Sequence, residues 1–216
     1  MKKKIVKAII SGVLVAAISV AAFASVLILK QAQVELFSAR IEQNTLDENA
    51  PALYLKSYDI DVGQYLNIVR EPVVLPILDD TRYDPVSSTW VSSDGRSPVE
   101  AEHPFVVSAR NGDVENVKFH LEVSGDISAI KALEFGVSAF YSSGAGTVMV
   151  ADMMDATIDG ARQVAISRDF ELANGIIRQD EELTVTVNAW VNQEALSRLG
   201  EYNADGSFTI TIVFES

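Results

Sequence analysis

Two histidines, His103 and His120, are the whole imidazole supply of this 216-residue chain, and it has no cysteine. A zinc peptidase needs imidazoles that converge on the metal, for instance two on one helix face in H-E-x-x-H. Here one histidine stands in a proline-bounded loop and the other on the polar side of an alternating segment, so both read as solvent-facing. The missing cysteines remove disulfides, thiolate catalysis and cysteine metal sites together. No G-x-S-x-G elbow occurs, which leaves a serine hydrolase without its nucleophile turn. Thirty acidic residues keep a carboxylate pair of glycosidase spacing open. Calcium is the more physical ligand for an acidic extracellular domain, because hard cations take clustered carboxylate and carbonyl oxygens. Candidate clusters are Asp79, Asp80 and Asp84, and Asp152, Asp155 and Asp159; neither follows the D-x-[DN]-x-[DN]-G loop. Ser143-Gly144-Ala145-Gly146 lacks the lysine of a phosphate cradle and reads as a hairpin tip. Beyond that calcium, no cofactor is expected, and without a convergent catalytic set the expectation is a protein that is not an enzyme.

The amino terminus carries an address. Lys2, Lys3, Lys4 and Lys7 precede an uncharged run from Ala8 to Leu29, about 33 Å of helix and enough to span a bilayer core. Lysines before the run place the amino terminus in the cytoplasm and the body outside. Ala22-Phe23-Ala24 has the small-x-small form of a signal cleavage site, so the segment reads either as an anchor, favoured for its length, or as a cleaved leader. Residues 1–30 are thus the signal or transmembrane anchor, in contact with the membrane through 8–29. The body is a single-pass extracellular domain, or secreted if cut after Ala24. Past Lys30, twelve basic residues face thirty acidic ones, a formal charge of −18 that repels nucleic acid and anionic lipid surfaces.

The elements of the body are read from alternation. Residues 31–51 form a stalk or linker: Val34, Leu36, Phe37 and Ile41 fit either a helical stalk or a first strand, and the polar stretch NTLDENAP ends in proline. Leu53 to Ile60, Gln64 to Val69 and Val73 to Leu78 are strand-like. Asp84 to Pro104, with three prolines and five serines, reads as a surface loop carrying one short strand at Thr89 to Val91. Alternation without error puts Val117, Phe119, Leu121 and Val123 on one buried face. It does the same for Leu183, Val185, Val187, Ala189 and Val191, and for Phe208, Ile210, Ile212 and Phe214. Asn111-Gly112, Asp159-Gly160, Asn174-Gly175 and Asp205-Gly206 supply turns. Short helices fit Ile127 to Leu133 and Gln193 to Leu199 as crossovers. Residues 52–216 therefore read as an all-β, half-solvated antiparallel β-sandwich of about eight to ten strands, jelly-roll or immunoglobulin-like.

Several stretches in order resemble the camelysin and TasA type of exported bacterial surface proteins. They are the lysine-led terminus followed by Phe37-Ser38-Ala39, the run from Phe105 to Val114 into Phe119-His120-Leu121-Glu122 and Ser124-Gly125-Asp126-Ile127, and Leu183 to Trp190 followed by Gly206 to Phe214. Arg40 departs from the pattern, standing where a small residue and glycine are usual, and the loop from Asp84 to Pro104 has no counterpart in it. The resemblance implies a jelly-roll-like sandwich at the cell surface, with relatives that build matrix fibres by lending a terminal strand to a neighbour, and some that carry a peptidase label.

The function expected is cell-surface structure or adhesion, with like or sibling subunits as partners and strand exchange as the mode of assembly. Val34 and Phe37 are then the partner-contacting residues of the donated strand. The alternative is a solute- or glycan-binding module on the loop around Trp90; a hydrolase ranks third.

Overall fold

A computed structural model describes residues 32–43, 49–61, 63–199 and 207–216. The apolar run 8–29, the Ala22-Phe23-Ala24 motif, residues 44–48 of the polar stretch before Pro51 and the Asp205-Gly206 turn lie outside the described residues. Among the described residues, no helix is long and apolar enough to cross a membrane.

In chain order the strands are β1 (Gln33–Glu42), β2 (Ala52–Leu55), β3 (Ile60–Asp61), β4 (Tyr65–Val74), β5 (Ile77–Leu78), β6 (Arg82–Asp84), β7 (Thr89–Val91), β8 (Val99–Glu100), β9 (Phe105–Arg110), β10 (Val114–Glu115) and β11 (Lys118–Ser124). Helix α1 (Ile127–Ile130) leads into β12 (Leu133–Tyr141), β13 (Gly146–Asp152), β14 (Thr157–Asp159), β15 (Val164–Ile166), β16 (Phe170–Glu171), β17 (Ile176–Ile177) and β18 (Glu182–Asn192). Helix α2 (Gln193–Arg198) and β19 (Ser207–Glu215) close the chain. Both short helices begin where the sequence places them, though α1 stops at Ile130 and Leu133 already belongs to β12; α2 is capped by the Asn192 side chain accepting from the Ala195 N–H.

The strands form two main sheets. The first runs β14-β15-β11-β19-β1-β4, with β16 also on β11; the second runs β13-β12-β18-β9-β2-β3, with β5 and β8 added to β18. Two short ribbons, β6-β7 and β10-β17, stand apart. The main-sheet pairings are antiparallel except β1 on β19 and β5 on β18. Period-two alternation turns one row of each strand inward. Phe119, Leu121, Val123, Phe208, Ile210, Ile212 and Phe214 of the first sheet share one core with Phe105, Val107, Phe135, Val137, Val185 and Val187 of the second. The all-β expectation holds, and the three inward rows read from the sequence lie in this core.

The half-solvated expectation fails at the centre of both sheets. In β18 the outward residues Asn188 and Trp190 are buried as well as the inward row. The stretch from β5 to β7 folds over them, and Leu78, Trp90 and Trp190 make a second small core flanked by Tyr83 and Val150. Gly136 on β12 makes room for it: a Cβ there would lie 2.4 Å from the Trp90 ring. Trp190 Nε1 donates to Glu134 Oε2 at 3.0 Å, and burial pushes the Glu134 carboxyl upward. The segment from Asp84 to Pro104 is thus partly core. On the first sheet the outward His120, Glu122 and Thr211 are buried too.

Candidate functional site

The terminal strand β1 lies between β4 and β19 rather than at an edge. It runs parallel to β19 from Gln33↔Ser207 to Glu42↔Glu215, and antiparallel to β4. This resolves the choice left open for residues 34–41 in favour of a strand. Val34, Phe37, Ala39 and Ile41 are buried, a row that is out of phase after Val34. A register irregularity between Val34 and Leu36 absorbs the extra residue and returns the later positions to the inward face. The expected partner-contacting residues Val34 and Phe37 therefore sit in the core row of a strand seated in its own chain. Burying Val34, Phe37 and Ile41 contributes about 1.5–3 kcal/mol each. Leu75 N–H donates to Ala32 O at 2.7 Å and Gly63 N–H to Ile41 O at 3.2 Å, pinning both ends.

Outward from the sheet, β1 carries Ser38 and Arg40. The Ser38 and Thr211 hydroxyls are 2.6 Å apart. The Arg40 guanidinium reaches across β19 to Glu122 on β11, with Nη1 donating to Oε2 at 2.6 Å and Nη2 to Oε1 at 2.8 Å. Its Nε donates to Glu42 at 2.7 Å. This fork-to-carboxylate geometry is the strong form of the ion pair. Arg162 adds a third donor to Glu122 Oε1 at 2.9 Å and holds Asp159 at 2.7 Å. The Glu122 side chain is 7% exposed and that of Arg40 19%. Burial pushes the Glu122 carboxyl up, but hydrogen bonds from Arg40, His120 and Arg162 prevail and hold it well below the usual carboxylate range. The same bond to Glu122 raises the Arg40 guanidinium.

Beside this clamp lies a histidine–carboxylate group. His120 is 7% exposed, a correction to its expected solvent-facing position. Its Nδ1 lies 3.3 Å from Glu215 Oε1 and 3.7 Å from Asp169 Oδ1, and its Nε2 faces Glu122 Oε1 at 3.8 Å. Lys118 pairs with Asp169 and, at 3.1 Å, with Glu215 Oε2; these two contacts raise its ammonium above the ordinary lysine value, Asp169 most.

The other sequence candidates are placed differently. Trp90, a candidate partner or glycan contact whose more ordinary reading is a ring buried against a neighbouring loop, is 4% exposed and packs against Trp190 with ring centroids 5.9 Å apart. A buried ring offers no face for a sugar to stack on. Asp152, Asp155 and Asp159 are not gathered round one point. Asp152 accepts from the Met154 N–H at 2.8 Å and Asp159 is engaged by Arg162, while Asp155 and Asp152 share a cleft of about 120 Å³ with Ser167 and Arg168. Asp79 and Asp84 accept from the Asp80 and Val86 N–H groups, both at 3.0 Å, as turn residues do. His103 is exposed. Arg40, Glu122, Arg162, Asp169 and Glu215 escaped sequence reasoning because their partners are remote: Glu122 meets Arg40 from 82 residues away and Arg162 from 40. Alternation shows only that Glu122 points outward, while Arg162 and Asp169 lie in connections between strands.

Compared with known protein families, curated proteins and solved structures, the chain matches none.

Proposed function

We propose that this chain is an exported, membrane-tethered or secreted surface protein with a jelly-roll-like sandwich body. It is not an enzyme; it serves cell-surface structure or adhesion and assembles by exchanging β1 between copies. The observation that carries this reading is the seat of β1. A strand from the chain's terminal region fills an inner position of the first sheet, with its own buried row, between β19, which would otherwise be an open edge, and β4, which pairs with β1 alone. Such a strand can leave one body and complete another with the same contacts, which is the logic of strand addition. Residues 43–51 separate it from β2, and the lysine-led apolar leader and acidic body agree with a place outside the membrane. The resemblance to the camelysin and TasA type points the same way.

The test is negative-stain electron microscopy of the intact chain at high concentration, beside a variant lacking residues 31–41. Fibres from the first and none from the second are expected. Monomers alone from the intact chain, or fibres from both, refute the exchange. Protease shaving of intact cells tests the export: protection of the body from external protease refutes it.

A further inference from the structure

The outer face of the first sheet carries a second feature, independent of strand exchange. We propose that His120, Asp169 and Glu215 form a binding site for a divalent transition-metal ion of zinc type, with His120 Nδ1, Asp169 Oδ1 and Glu215 Oε1 as ligands. One ligand atom from each of the three residues lies within 4.8 Å of the other two. Zinc bonds to nitrogen and oxygen are about 2.0–2.2 Å, so a tetrahedral site has ligand-to-ligand edges of roughly 3.3–3.6 Å. The separations from Nδ1, 3.3 Å to Glu215 and 3.7 Å to Asp169, lie close to that edge length.

The surroundings prepare the ligands. A metal-binding imidazole needs its other nitrogen to carry the proton and face an acceptor, and His120 Nε2 faces Glu122 Oε1 at 3.8 Å. Glu122 is itself held in place by Arg40 and Arg162, so an acceptor is fixed on the Nε2 side of the ring while Nδ1 faces the two carboxylates. Lys118 does not take the metal's place: it engages Asp169 Oδ2 and Glu215 Oε2, the oxygens on the other side of each carboxylate. That fixes the carboxylates as an outer-shell partner does. Three protein ligands leave a fourth position for water. One nitrogen and two oxygens suit zinc, whereas calcium takes six to eight oxygens.

The site also joins three parts of the chain: β11, the residue before β16, and the end of β19. The full-length chain, purified without a polyhistidine tag and stripped by chelator dialysis, is titrated with zinc chloride in a calorimeter. One ion per chain is expected. His120→Ala lowers the affinity by about a hundredfold or more, while Asp169→Asn and Glu215→Gln each lower it by roughly tenfold or more. His103→Ala leaves it unchanged. Cobalt(II) in place of zinc gives the intense visible bands of a four-coordinate ion. Absence of stoichiometric zinc, binding equal in the wild type and His120→Ala, or calcium bound more tightly than zinc overturns the proposal. If His120→Ala does not fold, the two carboxylate variants decide, since the Asp169 and Glu215 side chains are 44% and 27% exposed.

Discussion

Arg40→Ala removes both bonds that tie the terminal strand across β19 to Glu122. Breaking one side of a buried ion pair costs about 3–5 kcal/mol, most of it the penalty of leaving the other charge unpaired. Glu122 keeps Arg162 as a donor at 2.9 Å and Arg40 is itself 19% exposed, so the expected loss is smaller, about 2–3 kcal/mol. For a body of this size that is a fall of roughly 5–10 °C in the melting temperature. Circular dichroism under heat and urea reads it. The double variant Arg40→Met with Glu122→Gln recovers a large part of the loss, because no charge is left unpaired. The pH dependence follows from the same pair. The Glu122 carboxyl is lowered in the folded chain from its ordinary 4.5, so the folded state binds this proton less readily than the unfolded one. Its contribution is fully present above pH 4.5 and is lost steadily as the pH falls below that, through the acid range. Glu122→Gln flattens this slope. A melting temperature of Arg40→Ala within 1 °C of the wild type, or an acid slope unchanged in Glu122→Gln, refutes the clamp.

Two further outcomes follow. Gly136→Ala forces the Trp90 ring away from a Cβ it would meet at 2.4 Å; a loss of about 1–3 kcal/mol by overpacking is expected, with a change in tryptophan fluorescence. A stable variant with unaltered fluorescence counts against the covered outer face. Phe37→Ala empties a fully buried site in the terminal strand and costs about 3–5 kcal/mol in urea denaturation. A loss under 1 kcal/mol means that β1 is not seated as described.

Much of the architecture was legible along the chain because a strand writes its two faces at a period of two. Phe119, Leu121 and Val123, and the rows of β18 and β19, announce their inward faces without any knowledge of their partners. Gly144 at the β12–β13 tip and Asn111 and Gly112 after β9, all at positive φ, are likewise local chemistry. The first strand was ambiguous because the irregularity after Val34 breaks its alternation. The candidate sites were largely illegible. Trp90 in a serine- and proline-rich loop fits either a buried ring or a contact surface, and only the fold of β5 to β7 over β18 shows that Trp190 and Leu78 cover it. His120 occupies an outward position by register, and what makes it a ligand is the arrival of Asp169 and Glu215 from segments 49 and 95 positions further on.

Period, turn type and charge are properties of neighbours in the chain, so residue order alone dictates an acidic, extended, two-faced body. Which strand lies beside which, and hence which outward charges meet, depends on contacts between distant segments. The parallel seat of β1 on β19, the Arg40–Glu122 clamp and the grouping of His120, Asp169 and Glu215 exist only once loop-closure entropy has been overcome and the sheets have formed. No local pattern encodes that pairing.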